Sequence, residues 1–312
     1  MTAAARPAGS FALAHLSDPH LTTLRGVRAA ELSNKRILGY LSWRRRRRHV
    51  HLRSVLDALM ADVAAHAPDH VAITGDLTHV GLPIECAAAA EWLRSVGTPE
   101  RVTVVPGNHD RYTAAAASQT VDLWREYARG DDGSYDAPFV RQRGPVALIG
   151  VDTAVPTAPF LATGRVGDAQ LARLATALLD TEAAGLFRVV MLHHSPLRDG
   201  HSRRKRLDDA AAVTDVLERC GAELVIHGHG HEERIDRCRC AAGPMPVVAV
   251  PSASHNGIGR AGWNCYRIDG ETGRWRLRID ARRSSESGFV TRDSETFEWG
   301  APVNRAVAST SR

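Results

Sequence analysis

The chain has 312 residues, 44% of them apolar and 24% charged, a composition that folds around a sizeable core and excludes a disordered or fibrous protein. Its formal charge of +5 is local: eight of its 40 Lys and Arg fall between Leu32 and Leu56, where there is no acid, and without them 32 basic residues face 35 acidic ones. No run approaches the ~18 apolar residues of a membrane-crossing helix, and five cysteines, an odd number, are no disulfide framework and point to a reducing compartment.

The first apolar run, FALAHL at residues 11–16, has strand length, is too short for a secretory core, and is followed by the polar SDPH. Residues 24–49 read as an inserted basic helical segment in which Ile37, Leu38, Tyr40, Leu41 and Trp43 precede five consecutive arginines, Arg44 to Arg48. An apolar, aromatic patch beside cations is the composition of a segment lying on anionic lipid, so Ile37 to Arg48 is a candidate peripheral membrane contact. A solvated helix face is the plainer alternative, and the lack of interleaved aromatics argues against a nucleic-acid grip.

Leu52, Leu56, Leu59, Met60 and Val63 then repeat with helical spacing. Further strand-length runs follow: HVAIT before GDL, RVTVV before PGNHD, VALIG before VDT, RVVML before HHS, AELVI before HGHGH, and VVAV before PSAS. Ala- and Leu-rich segments separate most of them, which predicts a layered α/β fold with strands buried on both faces. A second basic cluster, Arg203, Arg204, Lys205 and Arg206, lies in a predicted loop beyond HHSP and offers a place for an anionic substrate tail. Cys238 and Cys240 stand closer than zinc-site spacing allows and read as ordinary thiols. NCYRID and RWRLRID flank GETG and predict a hairpin. From Ser284 the chain turns rich in Ser, Arg, Glu and Thr; residues 1–283 are the predicted domain and 284–312 a mobile tail that Phe289, Phe297 and Trp299 can anchor in part.

The chemistry-bearing residues sit where these strands end, which is where open α/β sheets place their sites. Asp18 and His20 are two apart, as are His229 and His231, so each pair can project to one face of an extended segment. Asp76, Asn108, His109, Asp110 and His193 follow other apolar runs. One strand-end Asp or His is ordinarily a turn former or a hydrogen-bonded side chain. Four imidazoles and two carboxylates brought together at successive strand ends would need a partner for each charge, and a bound cation is the economical one.

The ordered set DPH, GDL, GNHD, HH and GHGH resembles the calcineurin-like metallophosphoesterase family, and the bacterial small-molecule phosphodiesterases within it. The resemblance implies a four-layer α/β/β/α sandwich and two divalent or transition-metal ions, Mn, Fe or Zn among them, since N/O ligands without thiolate suit these metals. It places Asp18, His20 and His231 on one ion, Asn108, His193 and His229 on the other, and Asp76 between them, with His193 preferred to His194 because it directly follows the strand. His109 would stabilise the transition state or act as general acid, and Asp110 would orient it. The implied reaction is hydrolysis of a small anionic phosphodiester, of cyclic-nucleotide or glycerophosphodiester type, by a metal-bridging hydroxide. Two alternatives in the family are hydrolysis of UDP-2,3-diacylglucosamine pyrophosphate, which a membrane foot would suit, and a nuclease. The expected location is cytoplasmic, peripheral to the inner face of the membrane if the foot is real.

Overall fold

The structure, a computed structural model, describes residues 10–21, 23–33, 35–114, 121–197 and 202–300. In chain order the strands are β1 (Phe11–Leu16), β2 (His70–Ile73), β3 (Val102–Val104), β4 (Phe139–Arg143), β5 (Val146–Gly150), β6 (Phe187–Met191), β7 (Leu224–His227), β8 (Arg234–Cys240), β9 (Gly243–Ala249), β10 (Gly262–Glu271), β11 (Arg274–Ser285) and β12 (Gly288–Glu298). They form two six-stranded mixed sheets, β12-β11-β10-β1-β2-β3 and β4-β5-β6-β7-β9-β8.

Side-chain alternation along the strands builds the layers. Phe11 and Leu13 of β1 meet Phe187, Val189, Leu224 and Ile226 of the other sheet in the central core, while Ala14 and Leu16 point the opposite way. That outer face is covered by the helices Arg53–Ala65 and Pro83–Val96 through Leu56, Leu59, Val63, Trp92 and Leu93. On the second sheet, Val190 and Val225 pack beneath Leu174 and Leu178 of the helix Asp168–Ala183 and Val213 and Leu217 of the helix Ala210–Cys220. The result is the expected α/β/β/α order, with strands buried on both faces.

All seven apolar runs are strands, and the predicted hairpin is β10–β11, joined to β1 in antiparallel register from Phe11↔Ile268 to His15↔Asn264. Sequence reasoning missed β4, β8 and β12, and each is an edge strand. These three edges carry charged side chains that discourage further pairing, so they lack the continuous apolar signature of central strands, which the fourth edge, β3, retains. The mobile tail from Ser284 is therefore corrected: β12 pairs with β11 from Gly288 to Glu298. Phe297 packs on the central core, Trp299 lies within it, and Trp299 Nε1 donates to the Pro244 carbonyl at 2.9 Å. Burying an aromatic ring offsets the ordering entropy of its neighbours, as the anchoring role of Phe289, Phe297 and Trp299 requires. Residues 301–312 lie outside the described residues.

The basic insertion is helical: a 3-10 turn Ala29–Leu32, a helix Arg36–Ser42, a π turn Trp43–Arg47 and a short turn Arg48–Val50. Its aromatic residues do not face outward. Trp43 is buried with Leu24, Val80 and Leu82, and Tyr40 packs against the same cluster, so neither can anchor the segment to lipid. Only Ile37, Leu38 and Leu41 of the apolar patch are exposed. Among the described residues no helix is long and apolar enough to cross a membrane.

Two histidines are buried as neutral rings. His15 contacts Thr74 Oγ1 at 2.9 Å and Tyr266 Oη at 3.2 Å, and His70 Nε2 contacts Thr103 Oγ1 at 2.7 Å. Burial, reinforced by His227 for His15 and by Arg143 for His70, lowers each pKa from 6.5 to about 3. The unfolded chain then binds more protons below its own pKa, so folded stability is full above 6.5 and falls as pH drops toward 3. At about pH 5 each ring should cost roughly 2 kcal/mol. Urea midpoints should fall between about pH 7.5 and pH 5, and His70→Gln should flatten part of that fall; an unchanged slope would contradict the assignment.

Candidate metal centre

The loops that leave β1, β2, β3, β6 and β7 converge at one end of the two sheets. Asp18 N donates to the Gly75 carbonyl at 3.0 Å and His20 N to the Asp76 carbonyl at 3.1 Å, so the first loop lies along the second. Gly228 N donates to the His193 carbonyl at 3.2 Å, which joins the loops from the other sheet. The approach is close enough to require glycine at two points: a Cβ on Gly107 would meet Asp76 Oδ1, and one on Gly228 would meet Ser17 Oγ.

Six of the seven predicted ligands are buried, and His231 is partly exposed. Asp18, His20 and His231 offer atoms that all lie within 4.8 Å of one another, as do Asp18, Asp76 and His193. His231 Nε2 is 3.0 Å from Asp18 Oδ1. In the second cluster His193 Nε2 is 3.2 Å from both Asn108 Oδ1 and His229 Nδ1. Asp76 joins the clusters: its Oδ2 is 3.4 Å from His193 Nε2 and 4.0 Å from His20 Nε2. Its Oδ1 accepts from His109 N at 2.8 Å. The seven side chains are thus gathered as the motifs imply, with Asp76 in the middle.

Backbone carbonyls from one short segment after β2 set the ring orientations. Thr78 O faces His20 Nδ1 at 3.0 Å, Thr74 O faces His193 Nδ1 at 2.6 Å, and His79 O faces His109 Nδ1 at 2.5 Å. A carbonyl only accepts, so each Nδ1 carries the proton and each Nε2 is turned toward the centre. The two histidines of HHSP differ in this respect. His194 lies near His193 and His229, but its Nε2 is held by the Ala162 carbonyl at 3.2 Å and its Nδ1 by Thr153 Oγ1 at 2.8 Å. His193 is the one whose Nε2 faces the carboxylates.

Burial would raise both carboxyls, and the imidazoles outweigh it: His231 leads in holding Asp18 below the usual range, and His193 in holding Asp76 well below it. Conversely, burial opposes protonation of His193, and Asp76 overcomes it and lifts that ring to about 9. Such mutual dependence marks a site built around positive charge. The backbone is strained to achieve it. Asp18, His20, Asp76, His229 and His231 all have positive φ, between 41° and 67°, which costs a non-glycine residue on the order of 1–3 kcal/mol. Two carboxylates, four imidazoles, two of them (His20 and His193) with the tautomer fixed by a carbonyl, and an amide oxygen are a donor set that fits two divalent or transition-metal ions.

The Asp110 carboxylate serves its own loop: it accepts from Gly107 N at 2.9 Å, Thr78 N at 3.0 Å and Thr78 Oγ1 at 3.1 Å. It folds the GNHD loop, and burial followed by Asp76 raises its carboxyl to about 7. The His79 carbonyl holds the His109 ring at Nδ1. Sequence reasoning also missed Arg47, His51 and His79. His79 stacks on His20 with ring centroids 5.2 Å apart and planes 5° from parallel, and His51 stands 4.5 Å from the His20 ring. The available signals were the histidine three places after Asp76 and the second of the two that follow the arginine run. His255 backs His51 across an isolated bridge, which places the PSAS loop in the wall of the site. Residues Arg203 to Arg206 are exposed, and the Lys205 charge is felt at His229. A cavity of about 380 Å³ opens beside the centre, lined in part by His20, Trp43, Arg48, His51, Leu52 and His79.

A family model described as calcineurin-like phosphoesterase matches residues 11–233, the span that holds every candidate ligand. No curated protein sequence matches the chain. Among solved structures, a dimetal phosphatase from Danio rerio superposes with a TM-score of 0.62 at 13% identity, covering 93% of this chain and 99% of that one. A purple acid phosphatase from yellow lupin seeds superposes with a TM-score of 0.56, also at 13% identity, covering 93% of this chain and 54% of that one. The chain therefore spans about half the length of the lupin enzyme, and at such identities both likenesses speak to the fold alone.

Proposed function

The chain belongs to the calcineurin-like phosphoesterase family, and from that premise we propose that it is a dinuclear-metal-dependent phosphodiesterase for a small anionic diester, of cyclic-nucleotide or glycerophosphodiester type. Asp18, His20 and His231 would hold one ion, Asn108, His193 and His229 the other, and Asp76 would serve both. Two such ions, when bound, neutralise charge on the phosphate oxygens and lower the pKa of a water toward neutrality. The chain's own contribution is to place the ester and to manage the leaving oxygen. His109 Nδ1 is tied to the His79 carbonyl, leaving Nε2 to face the centre 4.0 Å from Asp76 Oδ2. Burial, then Arg47, lowers this ring to about 4; the negative charge of a bound phosphate works against both and favours the protonated form that can donate to the departing oxygen.

The observation that carries the diester reading is the cavity beside His20. A monoester has a single substituent on phosphorus, whereas a diester needs room for a second, and His51, His79 and Arg48 supply a polar wall for it. The test is a metal-reconstituted panel of nitrophenyl mono- and diesters, cyclic nucleotides, glycerophosphodiesters, UDP-sugar pyrophosphates and DNA. Diester kcat/KM should exceed that of the matching monoester by at least ~10-fold, and the reverse order would make the protein a monoesterase. A lipid-linked pyrophosphate is the second reading, supported by exposed Ile37, Leu38 and Leu41 beside the arginines.

A further inference from the structure

The five consecutive arginines do not share one environment. Arg44, Arg45, Arg46 and Arg48 are exposed, whereas Arg47 is half-buried. Arg47 closes the π turn that Trp43 opens, and π turns recur at functional sites. With Trp43 buried under the insertion, Arg47 reaches the centre. Its Nη1 lies 3.1 Å from His109 Nε2 and 3.2 Å from Nδ1. Nδ1 already donates to the His79 carbonyl, and a guanidinium only donates, so Nε2 is the acceptor.

A buried cation ordinarily has an anion against it. Among the described residues no carboxylate lies within ion-pair distance of Arg47; burial pulls its guanidinium below the usual range, and the acids that oppose this are Asp76 and Asp18 at the metal centre. Those carboxylates would be engaged by the ions. Arg47 thus brings to the centre a positive charge with no dedicated partner, on the side where His109 waits for the leaving oxygen.

We propose that Arg47 is the residue through which the insertion enters the reaction: it binds a non-bridging oxygen of the scissile phosphate, exchanging its hydrogen bond to His109 Nε2 for one to the substrate. The exchange does two things. It adds a charge-assisted contact to the phosphate, as arginine does best, and it releases Nε2 toward the leaving group. It rests on the phosphoesterase reading given above, and it gives Arg44, Arg45 and Arg46, which are exposed and do not line the cavity, no part in the chemistry.

The test compares Arg47→Met, of similar length and without charge, with Arg47→Lys and with the control Arg44→Gln/Arg45→Gln, all loaded with metal. Calorimetric affinity for orthovanadate should fall about 10- to 100-fold in Arg47→Met, recover in part in Arg47→Lys, and match wild type in the control. Metal content should stay at the wild-type value, and the melting temperature should not drop, because an uncompensated buried charge is removed rather than a structural pair. Vanadate affinity equal to wild type in Arg47→Met overturns the assignment, as does loss of metal or a collapse of the melting temperature, either of which would make Arg47 a structural pin. A wild-type protein that takes up metal and binds no vanadate overturns the phosphoesterase reading itself.

Discussion

Asp76→Ala is expected to lower hydrolysis of a chromogenic phosphodiester by at least about 10³-fold, a barrier increase of about 4 kcal/mol, and to lower bound metal. Asp76 faces both clusters, with Oδ2 at 3.4 Å from His193 Nε2 and 4.0 Å from His20 Nε2. Alanine would leave His193, lifted to about 9 by this carboxylate, buried without its anion. It would also release the GNHD loop, because His109 N donates to Asp76 Oδ1. Asp76→Asn separates the two effects, since it keeps an acceptor for His109 N while removing the charge that shared cations need. Metal analysis and turnover should therefore fail together in both variants. Full activity in Asp76→Ala would refute the dinuclear reading.

His109→Ala should behave differently, with kcat down by ~10²- to 10⁴-fold and metal content intact. Its ring is no ligand in the assigned set, and the bond that ties the loop to Asp76 comes from its backbone N, which alanine retains. The loss should be larger for an alkyl ester than for a nitrophenyl ester, because a good leaving group needs little protonation. A loss equal for both esters would assign His109 to orienting the phosphate instead, and a loss of metal would place it among the ligands.

The motifs at the strand ends were legible because their information is local. An apolar run with strand length, followed by Asp-x-His or His-x-His, states both the element and the projection of its side chains. The same rule failed at three of the four edges. β4 carries arginines, and β8 and β12 carry arginines and acids, where central strands carry Val, Ile and Leu, and charge at an edge is protective rather than a sign of disorder. The arginine run misled for a related reason: composition describes a segment as a whole, whereas the π turn treats its members differently, burying Trp43 and drawing Arg47 inward.

The sequence by itself determined the layered α/β class and the family, and it singled out the seven residues that the fold gathers at one end of the sheets, since each depends on residue type and short spacing. Only the tertiary structure decided which ring atoms face the centre, that the His193 Nε2 faces the carboxylates while both His194 nitrogens have other partners, that the Asp110 carboxylate holds a loop, and that Arg47 of the five arginines contacts His109. These depend on contacts between residues far apart in the chain, such as His20 with the Thr78 carbonyl 58 positions away and His193 with the Thr74 carbonyl 119 away. A carbonyl is common to every residue, so no side-chain pattern marks the ones that become partners. Pairing of β1 with β2 and packing of the two sheets select them.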